Sequence, residues 1–353
     1  MKNLTINKTL ALFFLTIIGQ TQANITISTL YGSTKITEPV LCELLESNAL
    51  QRLKNINQYG VMRFIDTRKN YTRYQHSLGV LYLMKIFGAS IQEQIIGLLH
   101  DVSHTIFSHT ADYLFGSVLN KYSYQDDILE WFAQQTDIQE ILERHNYADI
   151  CTLEKREQCS MLKTNLPDLC ADRLEYNLHG GFIEDWLTEG DIDFILNNLI
   201  YYDQKWIFTN AKAARMYADV SVKLSIDIWC SAWNGFIFSE TAHLFKKALD
   251  TNTITSDQFH FSTDKHVWDA LVMSPDIEIQ KTIARITQYD ESFILGSAED
   301  HDYFVKGKFR GVDPLVLSQG NVTRLSECDT AFKTYFNKAK ASVQSGWYIK
   351  YCD

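Results

Sequence analysis

Four of the ten histidines in this chain fall between positions 76 and 109: His76, His100, His104 and His109. Asp101 follows His100 directly, and Asp112 stands three positions after His109, where one helical turn would let it orient a histidine. Imidazole nitrogens and carboxylate oxygens form a mixed donor set suited to a divalent first-row ion such as iron, manganese, zinc or nickel, with magnesium also open. An ion held this way, with positions left open, activates water and polarises a phosphoryl oxygen.

Such ligands work only if the chain brings them to one point. Leu78, Leu81, Met84 and Ile86-Phe87 repeat at helical spacing over 77–89, and the apolar residues of 91–99 continue the pattern after Ser90. Two packed helices are expected there. His76 begins the first and His100-Asp101 ends the second, so antiparallel packing sets them at the same end. Elsewhere, the spacing predicts an amphipathic helix from Val40 and another over 127–144. It also predicts one starting at Pro167, passing Asp172 and Tyr176 and stopped by Gly180-Gly181, and near-continuous helix over 192–249. Residues 24–39 alternate as a hairpin and 304–316 as extended chain. Only four prolines occur in 353 residues, against a usual content of about 5%. The expected fold class is therefore mostly α, with a short N-terminal β-hairpin and a small C-terminal α+β extension.

Hydrophobic residues make up 46% and charged residues 22%, ordinary globular values that exclude a disordered or multi-span membrane chain. A net charge of -10 and the lack of a Lys/Arg stripe argue against nucleic acid as a partner. An anionic small molecule stays possible, because a local cation cluster or a metal reverses the field inside one pocket. Lys2 and Lys8 precede the apolar run Leu10 to Ile18, and Gly19 to Ala23 ends in small residues, the layout of a cleaved secretory signal. The domain expectation is a signal peptide over 1–23, a catalytic domain over 24–250 and a C-terminal extension over 251–353. The protein would then be exported, periplasmic or secreted, with a cytoplasmic location as the alternative. No stable membrane anchor is expected, and a homo-oligomer remains open. Seven cysteines and no CxxC leave a thiolate zinc site without support. A bridge from Cys151 to Cys159 or Cys170 and buried free thiols are both open readings.

Three segments carry a family resemblance: Arg73-Tyr74-Gln75-His76-Ser77-Leu78-Gly79-Val80, Leu99-His100-Asp101-Val102-Ser103-His104-Thr105-Ile106-Phe107-Ser108-His109, and Ala171-Asp172-Arg173-Leu174-Glu175-Tyr176. Together they resemble the HD-domain phosphohydrolases, with the deoxynucleoside triphosphate triphosphohydrolases as the branch most similar. The resemblance implies an HD-domain helical fold and four metal ligands, His76, His100, Asp101 and Asp172. It implies that His104 and His109 assist attack or protonate the leaving oxygen, a task suited to an imidazole because its ordinary pKa lies near working pH. Arg73, Arg173 and Tyr176 match positions that hold the polyphosphate tail, and Gln58 one that contacts the sugar. The implied substrate is a nucleotide or other phosphoester. Two departures stand out: Tyr124 where that branch often has a further catalytic histidine, and His179-Gly180-Gly181 where it has an acidic residue.

Overall fold

The computed structural model describes residues 24–116 and 123–352. The expected signal segment, 1–23, lies outside the described residues. Strands Ile25–Thr29 and Gly32–Ile36 pair antiparallel from Ile25↔Ile36 to Thr29↔Gly32, the expected hairpin. Helices Pro39–Glu46 and Asn48–Arg52 follow and bury Leu41, Leu44 and Leu50.

The two helices that matter most both begin at reciprocal caps. The Thr72 hydroxyl accepts the Gln75 N–H and the Gln75 side chain accepts the Thr72 N–H, which starts Arg73–Ile86. Ser90 and Glu93 start Ile91–Leu99 in the same way. Each such cap satisfies otherwise orphaned donors and contributes about 1 kcal/mol. The helices pack on each other, and Gly97 leaves the space Met84 Sδ fills: a Cβ there would lie 2.3 Å from the sulfur. His76 and His100 therefore meet at one end.

Several expectations are corrected. The 127–144 segment is two helices, Tyr124–Gln134 and Asp137–Arg144, because Thr136 takes the extended conformation between them. Pro167 lies in a turn, and the Asp172 helix starts only at Ala171 and runs through both glycines to Ile183. Gly180 and Gly181 permit close packing instead of ending the helix; a Cβ on Gly181 would sit 2.8 Å from Val220 and 2.9 Å from Leu187. Residues 192–249 contain a hairpin, Leu199–Tyr202 with Lys205–Phe208, turned by Asp203 and Gln204, both at positive φ. All seven cysteines are free thiols, five of them buried.

Residues beyond 250 are stitched into the rest. Leu315–Ser318 pairs in parallel with Lys205–Phe208, giving a four-stranded sheet, and Trp347–Tyr351 centres a three-stranded one between Phe293–Leu295 and Tyr303–Val305. Among the described residues, no helix is long and apolar enough to cross a membrane. Mostly helical architecture with small sheets is what the pattern predicted.

Candidate metal centre

His76 Nε2 and His100 Nε2 lie 3.1 Å apart at the helix ends. Asp172 Oδ1, from the helix packed across them, is 3.3 Å from His76 Nε2 and 3.8 Å from His100 Nε2. Asp101 offers Oδ2 at 3.5 Å from His76 Nε2 and Oδ1 at 3.6 Å from His100 Nε2. Ligand atoms of His76, His100 and Asp101 lie within 4.8 Å of one another, and Asp172 approaches both histidines.

The outer nitrogens settle what the inner ones present. His76 Nδ1 donates to Glu175 Oε2, and His100 Nδ1 donates to the Gly97 carbonyl at 2.7 Å. In its neutral form each ring turns an unprotonated Nε2 toward the other, so that two lone pairs and two carboxylates face one small volume. A cation relieves that arrangement. The field already favours one: burial pushes the His76 pKa down, yet the Glu175 charge and its neighbours lift it to about 10. Burial likewise opposes ionisation of Asp101, but His100 and Arg73 hold its carboxyl well below the usual range. The donor set fits a divalent ion with nitrogen and oxygen preference.

Glu175 went unnoticed in the sequence. It is fully buried and accepts hydrogen bonds from His76, from Tyr71, from Tyr31 at 3.1 Å and from His179 at 3.1 Å. Despite burial, the surrounding imidazoles hold its pKa at about 2. Orienting carboxylates of this kind fix ligand tautomer and strengthen the ligand. His179, one of the two departures, serves this carboxylate and stacks on Tyr71 at 3.7 Å.

His104 and His109 are carried by a loop whose Phe107 and Ser108 are both at positive φ, a conformation non-glycine residues adopt only under constraint. The constraint is visible. Asp264 accepts the Phe107 N–H and the Asn57 N–H, each at 2.7 Å, and Ser108 Oγ donates to the Asn57 carbonyl at 2.5 Å. Arg52 donates to the carbonyls of Val102 and His104. The structure separates the two histidines. His109 lies on the cavity wall, its Nδ1 donating to Asp112 Oδ2 at 2.8 Å, with Nε2 unpartnered among the described residues. His104 is buried beneath Asp101, 3.4 Å from Oδ1, and burial together with the Arg73 charge lowers its pKa to about 3. It is held neutral.

A cavity of about 180 Å³ opens onto the centre, lined by Gln58, Arg73, His109, Asp172, Arg173 and Tyr176 among others. Arg73 donates to Asp101 Oδ2 at 2.6 Å and to Ser108 Oγ at 3.0 Å, leaving a buried Nη2 with no partner. Gln58 Oε1 and the Tyr176 hydroxyl are also buried and unpartnered. The Arg173 guanidinium donates to Thr164 Oγ1, the Thr164 carbonyl and the Asp168 carbonyl, which fix it as part of the wall. Tyr124 turns away: it does not line the cavity, and its hydroxyl meets His260 Nε2 at 3.0 Å.

The HD domain model matches residues 73–173, the span that holds every metal-facing residue described above. The uncharacterized protein YdhJ of Bacillus subtilis is 30% identical over 321 residues, covering 91% of this chain and 97% of its own. The chain belongs to the HD-domain phosphohydrolase superfamily. The metal-dependent phosphohydrolase cns2 of Cordyceps militaris is 27% identical, with 82% of this chain and 84% of that protein covered. The deoxynucleoside triphosphate triphosphohydrolase SAMHD1 of Gallus gallus is 32% identical over 89 residues, 21% of this chain and 14% of that protein. A solved phosphohydrolase from Bacteroides thetaiotaomicron shares the fold at a TM-score of 0.67 and 16% identity, covering 93% of this chain and 99% of its own. This member of the superfamily is thus an HD-type metal-dependent phosphohydrolase.

Proposed function

We propose that this phosphohydrolase cleaves deoxynucleoside triphosphates at the α-phosphate, releasing nucleoside and tripolyphosphate. One observation carries the reading: among the described residues, Arg73 Nη2, Gln58 Oε1 and the Tyr176 hydroxyl are buried polar atoms without partners, and all three residues line one cavity beside the metal centre. An unsatisfied buried donor or acceptor costs about 1–3 kcal/mol, a cost that a phosphate oxygen or sugar hydroxyl would remove.

His76, His100, Asp101 and Asp172 would hold the divalent ion, which supplies an activated water and a polarised phosphoryl oxygen when bound. Arg73 and Arg173 donate to phosphate oxygens as charged donors. His109 handles the proton: Asp112 fixes Nδ1–H, and Nε2 transfers a proton to the leaving 5′-oxygen as the phosphorus–oxygen bond breaks and the water oxygen bonds to phosphorus. His104, neutral and buried, positions Asp101.

A second reading is a phosphomonoesterase or phosphodiesterase. It is favoured by Tyr124, engaged with His260 away from the cavity, and by the match to SAMHD1 covering only 21% of this chain. Incubation with Mn, Fe, Mg or Zn and a nucleotide panel separates these. Nucleoside with tripolyphosphate supports the first reading, orthophosphate or monophosphate the second, and saturable nucleotide binding without turnover a sensor. We further propose export after cleavage near Ala23, which intact mass of the protein from its native cell tests directly; a chain retaining residues 1–23 contradicts it.

A further inference from the structure

The loop that carries His104 and His109 is braced by a segment far along the chain. Asp264, the buried first residue of helix Asp264–Val272, stands 157 positions after Phe107 and 207 after Asn57, and each of its carboxylate oxygens accepts one of their backbone N–H groups at 2.7 Å. One turn on, Trp268 of the same helix stacks on Phe64 at 4.8 Å and packs edge-on with Phe107, ring centres 6.2 Å apart. Phe64 and Phe245 enclose the Phe107 ring further. Just before the helix, the Phe259 carbonyl accepts the Ile106 N–H at 3.3 Å, and Arg52 joins the Ser262 carbonyl at 3.2 Å to those of Val102 and His104.

This bracing meets a conformation that would not hold by itself. Phe107 and Ser108 both sit at a φ of 54°, where Cβ crowds the backbone, so two consecutive residues of a free loop would return to negative φ. His109 follows directly, on the cavity wall with Nδ1 bonded to Asp112, and such a return would swing the imidazole off that bond. Asp264 also fixes the facing segment. Asn57 gives its N–H to Asp264 and its carbonyl to Ser108 Oγ, the same hydroxyl that accepts from Arg73 Nε, and Gln58 comes next on the cavity wall. A single carboxylate therefore sets the spacing between the His109 and Gln58 backbones, yet Asp264 does not line the cavity.

We propose that Asp264 is a positioning residue for the reaction: it holds the turn at Phe107 and Ser108 left-handed and thereby aims His109 Nε2 at the leaving oxygen, touching neither substrate nor metal. A carboxylate is required because both of its oxygens must accept. An amide offers one acceptor and turns a donor toward the other N–H. Turnover depends on the brace because a reacting group misplaced by about 1 Å loses about a hundredfold in rate. The proposal rests on the reading of His109 as the proton donor and adds the residue that keeps it in place.

The test compares the metal-reconstituted full chain with its Asp264→Asn variant. In the variant, amide hydrogen exchange over residues 102–110 should quicken by at least about tenfold, the scale of one lost hydrogen bond, with helices Arg73–Ile86 and Ile91–Leu99 and the metal content unchanged. Hydrolysis of a deoxynucleoside triphosphate with Mn should lose about tenfold or more in kcat, with KM within about twofold. In a His109→Ala background the same substitution should cost less than about twofold, because nothing is left to aim. Exchange over 102–110 within about twofold of wild type, faster exchange spread evenly over the chain, or an equal loss of turnover in both backgrounds overturns the proposal. If Asp264→Asn fails to fold, Trp268→Leu, which removes the ring against Phe107 and leaves both N–H bonds, should show the same selective exchange and the same dependence on His109; the absence of either overturns it. Selective exchange without any nucleotide hydrolysis by wild type sinks the reaction and leaves the brace standing, whereas hydrolysis without selective exchange sinks the brace alone.

Discussion

His76 Nε2 and His100 Nε2 face each other at 3.1 Å while the opposite nitrogen of each ring is committed, one to the Glu175 carboxylate and one to the Gly97 carbonyl. Their readiness for a cation depends on those outer bonds. Glu175→Gln should lower metal affinity by about 10- to 100-fold, the usual effect of removing a carboxylate behind a ligating histidine. Metal titration of the purified variant checks this; unchanged affinity would show that the carboxylate does not set the tautomer. Gly79→Ala should act on the same group, because a Cβ there would lie 2.4 Å from Glu175 Oε1. Its expected destabilisation is about 1–3 kcal/mol, the usual range for overpacking.

His109 and Asp112 touch the cavity without belonging to the ligand set. His109→Ala should keep the metal and lower turnover by about a hundredfold or more. Asp112→Asn should act in the same direction with a smaller loss, since it releases Nδ1 and lets the ring turn. Loss of metal from the His109 variant would place that residue among the ligands instead.

The ligand ends of the two central helices were legible because they rest on short-range signals: capping pairs at Thr72 and Ser90, an apolar stripe, and His100-Asp101 at a helix end. Glu175 was not. A glutamate three residues after Asp172 reads as a solvated charge until the N-terminal hairpin folds Tyr31 over it and Tyr71 closes the other side. Asp264 acts on Phe107 from 157 positions further along the chain, a relation only tertiary packing reveals. The Leu199–Phe208 hairpin was missed because its run of aromatic and aliphatic residues also satisfies a helical spacing, and the turn residues Asp203 and Gln204 lack the glycine that normally marks such a turn.

Asp264 gives a pH signature. Burial raises its pKa from 3.8 to about 7, even though the Phe107 and Asn57 N–H groups favour the charged form. With the folded pKa above the unfolded one, its contribution to stability is fully present below about pH 4 and is lost as pH rises toward 7. Wild type should therefore gain melting temperature relative to Asp264→Asn when the pH is lowered from 8 to 5. A difference that is constant, or larger at pH 8, would contradict the shift. The variant should also be less stable at both values by about 1–3 kcal/mol, because an amide cannot accept both N–H groups.

The central claim is that His76, His100, Asp101 and Asp172 hold one divalent ion, and elemental analysis of reconstituted, folded wild type beside Asp101→Ala tests it most directly. Removing Asp101 takes away a ligand and strips the buried Arg73 of its partner at 2.6 Å, so the variant should also melt earlier. Wild type is predicted to carry about one ion per chain and the variant none above background. Metal retained in full by Asp101→Ala, or absent from reconstituted wild type, would contradict the assignment.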